Sequence, residues 1–295
     1  MEMWQNTVGV SLGLLSGITN HSGTIIQKLA LNRIPDDQKK VTKELLKNPL
    51  WLLGFLLNLV ITSILNIFAH MWVGPAVLQG LNSIGLIVLA TGAAYILKEK
   101  LKAPEIIGII INIIGVIIFG FANLIVKNES YDFTNAGFLI RISIFTGVFT
   151  LAALICDLLK KKSPIFPALE SGFLFLMTAP WMSVVIVTIG KSFTGTASTN
   201  ELILFIISCF ALPGTNYFGI IRLQQAYAKK DRQAANLRIV QLIPTQIGPL
   251  IYFYLIYFQP SPTSYSLALA LIGTALIITS GFLLGKREFQ LREIQ

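Results

Sequence analysis

The sequence predicts an all-α membrane protein of about nine transmembrane helices. Three observations carry that expectation. Charged residues make up 13% of the chain and hydrophobic residues 54%; mean hydropathy is +0.71; and the apolar residues fall in long blocks rather than in amphipathic stripes. Soluble domains carry about 25% charged residues. A soluble chain of 295 residues would need far more Lys and Glu to cover its surface.

A span needs roughly 20 apolar residues to cross about 30 Å of hydrocarbon. Blocks of that length lie near 8–30, 50–71, 75–97, 104–126, 136–158, 168–189, 202–224, 236–258 and 264–285. The first follows Met1-Glu2-Met3-Trp4, which has no basic n-region, so it reads as a retained span and not a signal peptide. The second and third are almost continuous. Together they are too long for one span, and Gly74-Pro75 between them is a turn signal. The fourth follows the turn Lys98-Glu99-Lys100 and carries Gly108, Gly115 and Gly120. The fifth holds Arg141 in its outer third, and the sixth has Glu170 near its start and Pro180 near its middle. Pro213-Gly214 lies in the seventh and Pro244 in the eighth. The ninth ends before a basic tail.

Orientation follows from Lys and Arg in the short loops. Twenty of the 23 basic residues fall on one side of a nine-span chain. They include Lys28, Lys39, Lys40 and Lys43, Lys98, Lys100 and Lys102, Lys160 to Lys162, Arg222, Arg232 and Arg238. The other side holds Lys127 and Lys191. This asymmetry places the N-terminus outside and the C-terminus in the cytoplasm; the cell membrane is the default location for such a multi-pass protein. No loop is long enough for a soluble domain; the longest runs from Asn32 to Pro49. The net charge of +9 sits between apolar blocks, where it fixes topology and meets anionic lipid; it does not suggest nucleic acid. Cys156 and Cys209 lie inside apolar blocks and read as small hydrophobes, not as a disulfide framework.

Function should therefore lie among the polar side chains within the membrane. Ser16, Asn20 and Thr24, with His21 beside them, recur every four residues in span one. Asn58, Thr62, Asn66 and His70 do the same in span two, and span three adds Gln79, Asn82 and Ser83. Four residues advance a helix about 400°, so each set is one slowly drifting stripe. Such stripes serve either as interhelical hydrogen-bond glue or as the lining of a polar cavity. Span seven adds Thr215 and Asn216, and span eight adds Gln241, Thr245 and Gln246 around Pro244. Interior prolines either kink a packed helix or break it where a binding site is built. Arg141 either snorkels outward or faces the substrate. His21, near mid-depth, is a candidate for proton coupling. No nucleotide loop, His-Glu-x-x-His, Cys-x-x-Cys or cluster of metal ligands is present, so no enzyme, cofactor or bound metal is expected.

Two stretches carry a family resemblance. Residues 69–121, from Ala69-His70-Met71-Trp72-Val73-Gly74-Pro75 through Lys98-Glu99-Lys100-Leu101 to the Gly-spaced span, resemble the middle helices of the drug/metabolite transporter superfamily, EamA-like. There a short Gly-Glu-Arg-Leu type turn joins two helices. Residues 225–249, with Gln225-Ala226-Tyr227-Ala228, Ala234-Ala235 and Pro244, look like the matching element of the second half. Within that superfamily, Asn20-His21-Ser22 through Gln27-Lys28 resembles the Asn-Gly-Ser…Lys-Lys first helix of the NIPA-type magnesium transporters, and Asn216-Tyr217 resembles their Asn-Tyr. His21 and Gln27 depart from that pattern, which has Gly and Lys there. The resemblance implies two inverted repeats, 1–127 with four helices and 128–295 with five, spans three and eight being mates.

The expectation is a secondary transporter that moves a small polar metabolite or cation by alternating access. Asn20, His21, Asn66, Gln79, Asn82, Asn216, Gln241 and Gln246 would line the path, with Arg141 as a further candidate. Magnesium transport is the alternative the resemblance implies, although magnesium usually binds through one or two carboxylates and none is read at mid-depth. A non-transporting scaffold or receptor is the third reading. The partners are a small-molecule or ion substrate and membrane lipid; a homodimer stays open.

Overall fold

The computed structural model describes residues 3–33, 45–99, 101–124, 132–193, 195–227 and 234–293. Lys39, Lys40, Lys43, Lys100, Lys127 and Arg232, counted above as loop cations, lie outside these residues. The described residues form ten α-helices and two π-helical stretches and contain no strand. They are α1 (Met3–Leu31), α2 (Pro49–Phe55), a π stretch (Leu56–Ile61), α3 (Thr62–Tyr95), α4 (Ala103–Phe121), α5 (Ala136–Leu159), α6 (Ile165–Leu176), α7 (Thr178–Phe193), α8 (Thr199–Tyr227), α9 (Ala234–Ile251), a second π stretch (Tyr252–Ile256) and α10 (Ser266–Glu293).

Seven helices among the described residues are long and apolar enough to cross a membrane. They are Pro49–His70, Ala103–Phe121, Ala136–Leu159, Ile165–Phe193, Thr199–Tyr227, Asn236–Ile256 and Ser266–Leu284. The chain is therefore a multi-pass α-helical membrane protein, and its α5 turns Ile140, Ile144, Leu151, Leu154 and Leu158 outward where lipid would lie. The two expected spans outside this set fall on α1 and on the second arm of α3. In α1, Thr19, Asn20, His21, Ser22 and Thr24 dilute the apolar run; in the second arm of α3 the apolar stretch among the described residues is Gly85–Tyr95.

Contacts along α1 show that the chain folds back between Val73, which meets Gly9, and Leu78, which meets Gly13. Ser16 Oγ donates to Asn66 Oδ1 at 2.6 Å, and a Cβ on Gly23 would meet Gly54 and Asn58, so the first arm runs antiparallel to α1. A Cβ on Gly17 would meet Asn82 and one on Gly92 would meet Ile25, so the second arm runs parallel to it. Asn82 Nδ2 reaches Asn66 Oδ1 at 3.2 Å, a pair that sixteen residues of straight helix would hold roughly 24 Å apart. Gly85 makes the packing feasible, because a Cβ there would sit 2.4 Å from the carbonyl oxygen of Gly17. Small residues allow such close backbone approach in membranes.

A similar arrangement surrounds α6 and α7. Asn216 of α8 lies against Thr178 and Gly219 against Phe175, so α8 runs antiparallel to α6 and α7. Gly172 lies against Gln241 and Gly248 against Leu176, so α9 runs parallel to them. The two halves meet where α4 packs antiparallel on α10, Gly108 beside Leu284 and Gly115 beside Gly273.

Span six is broken at Met177, between α6 and α7. Pro180 explains the break: it has no N–H to give to the carbonyl of Leu176, four residues back. The Tyr252 hydroxyl donates to that carbonyl instead.

Candidate functional site

A chamber of about 210 Å³ opens between the halves. Its walls come from α1 (Asn20, His21), the stretch from Asn58 to His70, the second arm of α3 (Asn82), α7 and α8 (Thr178, Asn216), and α9 (Arg238, Gln241, Thr245, Gln246). The fold brings these elements together because α1 and the α6–α7 helix each lie between an antiparallel and a parallel neighbour. The chamber is thus walled by the two polar stripes of the first half and by the Gln-Pro-Gln stretch of the second.

The first-half wall is a hydrogen-bonded lattice of amides. Asn66 Oδ1 accepts from both Ser16 and Asn82. Asn58 Nδ2 donates to the main-chain oxygen of Asn20 at 3.2 Å and to Thr24 Oγ1 at 3.0 Å. Asn58 lies in the first π stretch, and Thr62 Oγ1 takes up the carbonyl of Leu57 at 2.9 Å. A π-helical turn inside an α-helix frequently marks a functional site.

Several polar atoms on the chamber's walls have no protein partner: Nδ1 of His21, Nε2 of His70, Oδ1 of Asn82, Nε of Arg238 and Oε1 of Gln241. A buried polar group without a partner costs about 1–3 kcal/mol. Five such atoms around one chamber mark it as a place built for polar contents, since buried polar groups are otherwise almost always satisfied.

Seven of the nine expected site residues line the chamber: Asn20, His21, Asn66, Asn82, Asn216, Gln241 and Gln246. They are not equally available. Gln246 exchanges two hydrogen bonds with Asn112 of α4, at 3.0 and 2.9 Å, and Asn112 also donates to Ser280 of α10 at 3.0 Å. Its amide is committed to helix packing. The side chain of Gln79 lies outside the described residues. Arg141 is not among the described residues that line the chamber. Its Nε donates to the carbonyl of Ile256 at 2.8 Å and its guanidinium lies 5.6 Å from the ring centre of Phe258. That carbonyl ends the second π stretch, where the helix leaves oxygens without intrahelical donors.

The chamber also holds residues that the sequence did not point to. Arg238, read above as a loop cation, is 4% exposed and donates through Nη2 to Asn20 Oδ1. It falls only one turn inside α9, so position alone resembled a helix-end cation. Lys28 is likewise buried, its Nζ donating to the carbonyl of Tyr227 at 2.8 Å. These two cations are therefore not lipid-facing. Near Lys28, Gln224 accepts from Trp51 at 3.3 Å and donates to Gln27 at 2.9 Å, and Asn236 of α9 donates to Glu105 of α4 at 3.4 Å. A cluster including Leu31, Trp51, Ile165, Leu223 and Leu237 seals the same end.

Carboxylates are absent from the chamber's described lining. Glu170 and Asp157 both pair with Arg222, at 2.7 Å each, and none of the three faces the chamber. Among the described residues no group of three or more His, Cys, Asp or Glu side chains could hold a metal ion.

The model of one protein family, described as magnesium transporter NIPA, matches residues 4–240 of the chain. The match takes in both walls of the chamber as far as Arg238. Neither a curated protein nor a solved structure matches the chain.

Proposed function

The chain belongs to the magnesium transporter NIPA family, and from that premise we propose that it is a secondary carrier whose cargo is a hydrated magnesium ion, moved by alternating access. The observation that supports this most is the chamber, into which amide and hydroxyl groups of both halves converge. Magnesium demands octahedral geometry and gives up its waters reluctantly. Six waters at roughly 30 Å³ each occupy about 180 Å³, which a chamber of about 210 Å³ accommodates. Asn and Gln oxygens and Thr hydroxyls then accept hydrogen bonds from the ion's waters, so carboxylates are not required at the wall.

The carrier so proposed has nine spans in two inverted repeats, 1–127 and 128–295, with the N-terminus outside. The matching arrangements about α1 and about α6–α7 support the repeats, α5 being the additional helix. On this topology the end sealed by Lys28, Trp51 and Tyr227 is cytoplasmic, and cargo enters from outside.

A second reading, a small polar metabolite as cargo, draws on Arg238, whose guanidinium on the chamber wall suits a solute with an acceptor group. Purified protein in liposomes separates the two. Uptake of magnesium into vesicles loaded with a magnesium-sensitive dye, abolished in a Gln241→Ala and Asn82→Ala double variant, is the result expected. No magnesium flux, with uptake of a polar solute from a broad panel, would decide for the second.

A further inference from the structure

Arg238 is the single charged side chain among the described residues that line the chamber. It stands on α9 three residues before Gln241, facing Asn20 and His21 of α1 across the boundary between the halves. A buried arginine ordinarily pairs with a carboxylate, because an uncompensated charge in low-dielectric surroundings is costly. Here it donates instead to the amide oxygen of Asn20, and its Nε has no partner. An amide oxygen is also the kind of ligand that a hard cation, or the water around one, takes. The guanidinium thus occupies a place fitted for a cation.

We propose that Arg238 is a tethered stand-in for the cargo, and that guanidinium and cargo cation hold the Asn20 side of the chamber in turn. This rests on the magnesium reading above. Two positive charges cannot share a chamber of this size without strong repulsion in a medium of low dielectric constant, so the ion enters as the arginine withdraws. α9 is built to allow such a movement. Pro244 and Pro249 each delete a donor from its ladder, and the π stretch Tyr252–Ile256 follows directly, a combination that bends helices. When the ion leaves, the guanidinium returns to Asn20 and ties α1 to α9 again. The empty carrier therefore keeps its charge and its interhelical contact without cargo.

Magnesium binding to the full chain in nanodiscs, measured by titration calorimetry, tests this. With the competing charge removed, R238Q is expected to bind magnesium about tenfold tighter or more, while R238K, which keeps the charge, stays near the parent. Equal or weaker binding by R238Q at an unchanged melting temperature would overturn the proposal. Should R238Q fail to fold, R238H carries the same test, since its imidazole loses its charge between about pH 5 and 8. Binding by R238H should then tighten as pH rises relative to the parent, and a flat ratio would overturn the proposal as well. Failure of the parent chain to bind or carry magnesium at all would instead sink the reading on which this rests.

Discussion

The ammonium of Lys28 donates to the main-chain oxygen of Tyr227 at 2.8 Å, tying the last turn of α1 to the last residue of α8 across the two halves. The charge lies where the carbonyls at a helix C-terminus have no intrahelical donors, which is also the negative end of the helix dipole. The Tyr227 ring lies below it, 5.9 Å from Nζ to the ring centre. A buried, charge-assisted contact of this kind is worth about 1.5–3 kcal/mol. Lys28→Met should lower stability by that amount and open the sealed end. Thermal melting in detergent checks the first, and reactivity of a cysteine placed at Gln27 toward a polar thiol reagent checks the second. Unchanged melting would mean that the contact does not hold the halves.

Close packing of α1 on α3 depends on a missing side chain. A Cβ at Gly85 would meet Gly17 O at 2.4 Å, and neither backbone can yield without moving a helix. Gly85→Val should cost about 3 kcal/mol or more and abolish monodisperse expression. Gly147 on α5 has nothing within 4 Å of its missing Cβ. Gly147→Ala should be neutral or stabilising by up to about 1 kcal/mol, the helix-propensity difference. Size-exclusion profiles and melting curves read both.

Tyr252 and Pro180 should be coupled. The tyrosine hydroxyl serves the Leu176 carbonyl that the proline leaves open, so Tyr252→Phe should cost about 1–3 kcal/mol in the parent. In a Pro180→Ala background the helix can close its own ladder, and the same substitution should cost markedly less. A double-mutant cycle measures the difference; additive costs would show that the two residues act separately.

The polar residues of the chamber should divide by what their side chains already hold. Asn112→Leu with Gln246→Leu replaces both partners of a buried pair, which can be nearly neutral, and should leave transport within about threefold of the parent. Gln241→Ala and Asn82→Ala, whose oxygens lack protein partners, should each reduce transport about tenfold, the effect of 1.4 kcal/mol; melting should stay the same for Gln241→Ala and fall by the worth of one hydrogen bond, about 0.5–1.5 kcal/mol, for Asn82→Ala.

Much of this was legible in the chain because bilayer physics is coarse. Long apolar blocks have to be helices, and Gly74-Pro75 had to be a reversal since no helix spans a bilayer twice without one. The polar stripes of α1 and α2–α3 were readable for the same reason, a polar group in hydrocarbon being too costly to lie there idly. What escaped was pairing. Arg141 and Arg238 both sit about one turn inside a span, and no local signal says that one ends on Ile256 and the other on Asn20. Gln246 and Gln241 likewise look alike in sequence, although Asn112 satisfies only the first. The break at Met177 needed Tyr252, a residue 75 positions away. Counting spans was harder still, because the polar residues of α1 that line the chamber also lower its hydropathy.

The central claim is that Asn66, Asn216 and Gln241 share one aqueous chamber open to one side. Single cysteines at these positions, in a background lacking Cys156 and Cys209, should react in oriented vesicles with a membrane-impermeant thiol reagent added outside. Magnesium should slow that reaction. If all three resist the reagent from both faces while the protein stays folded, the chamber holds no water and the carrier account is contradicted.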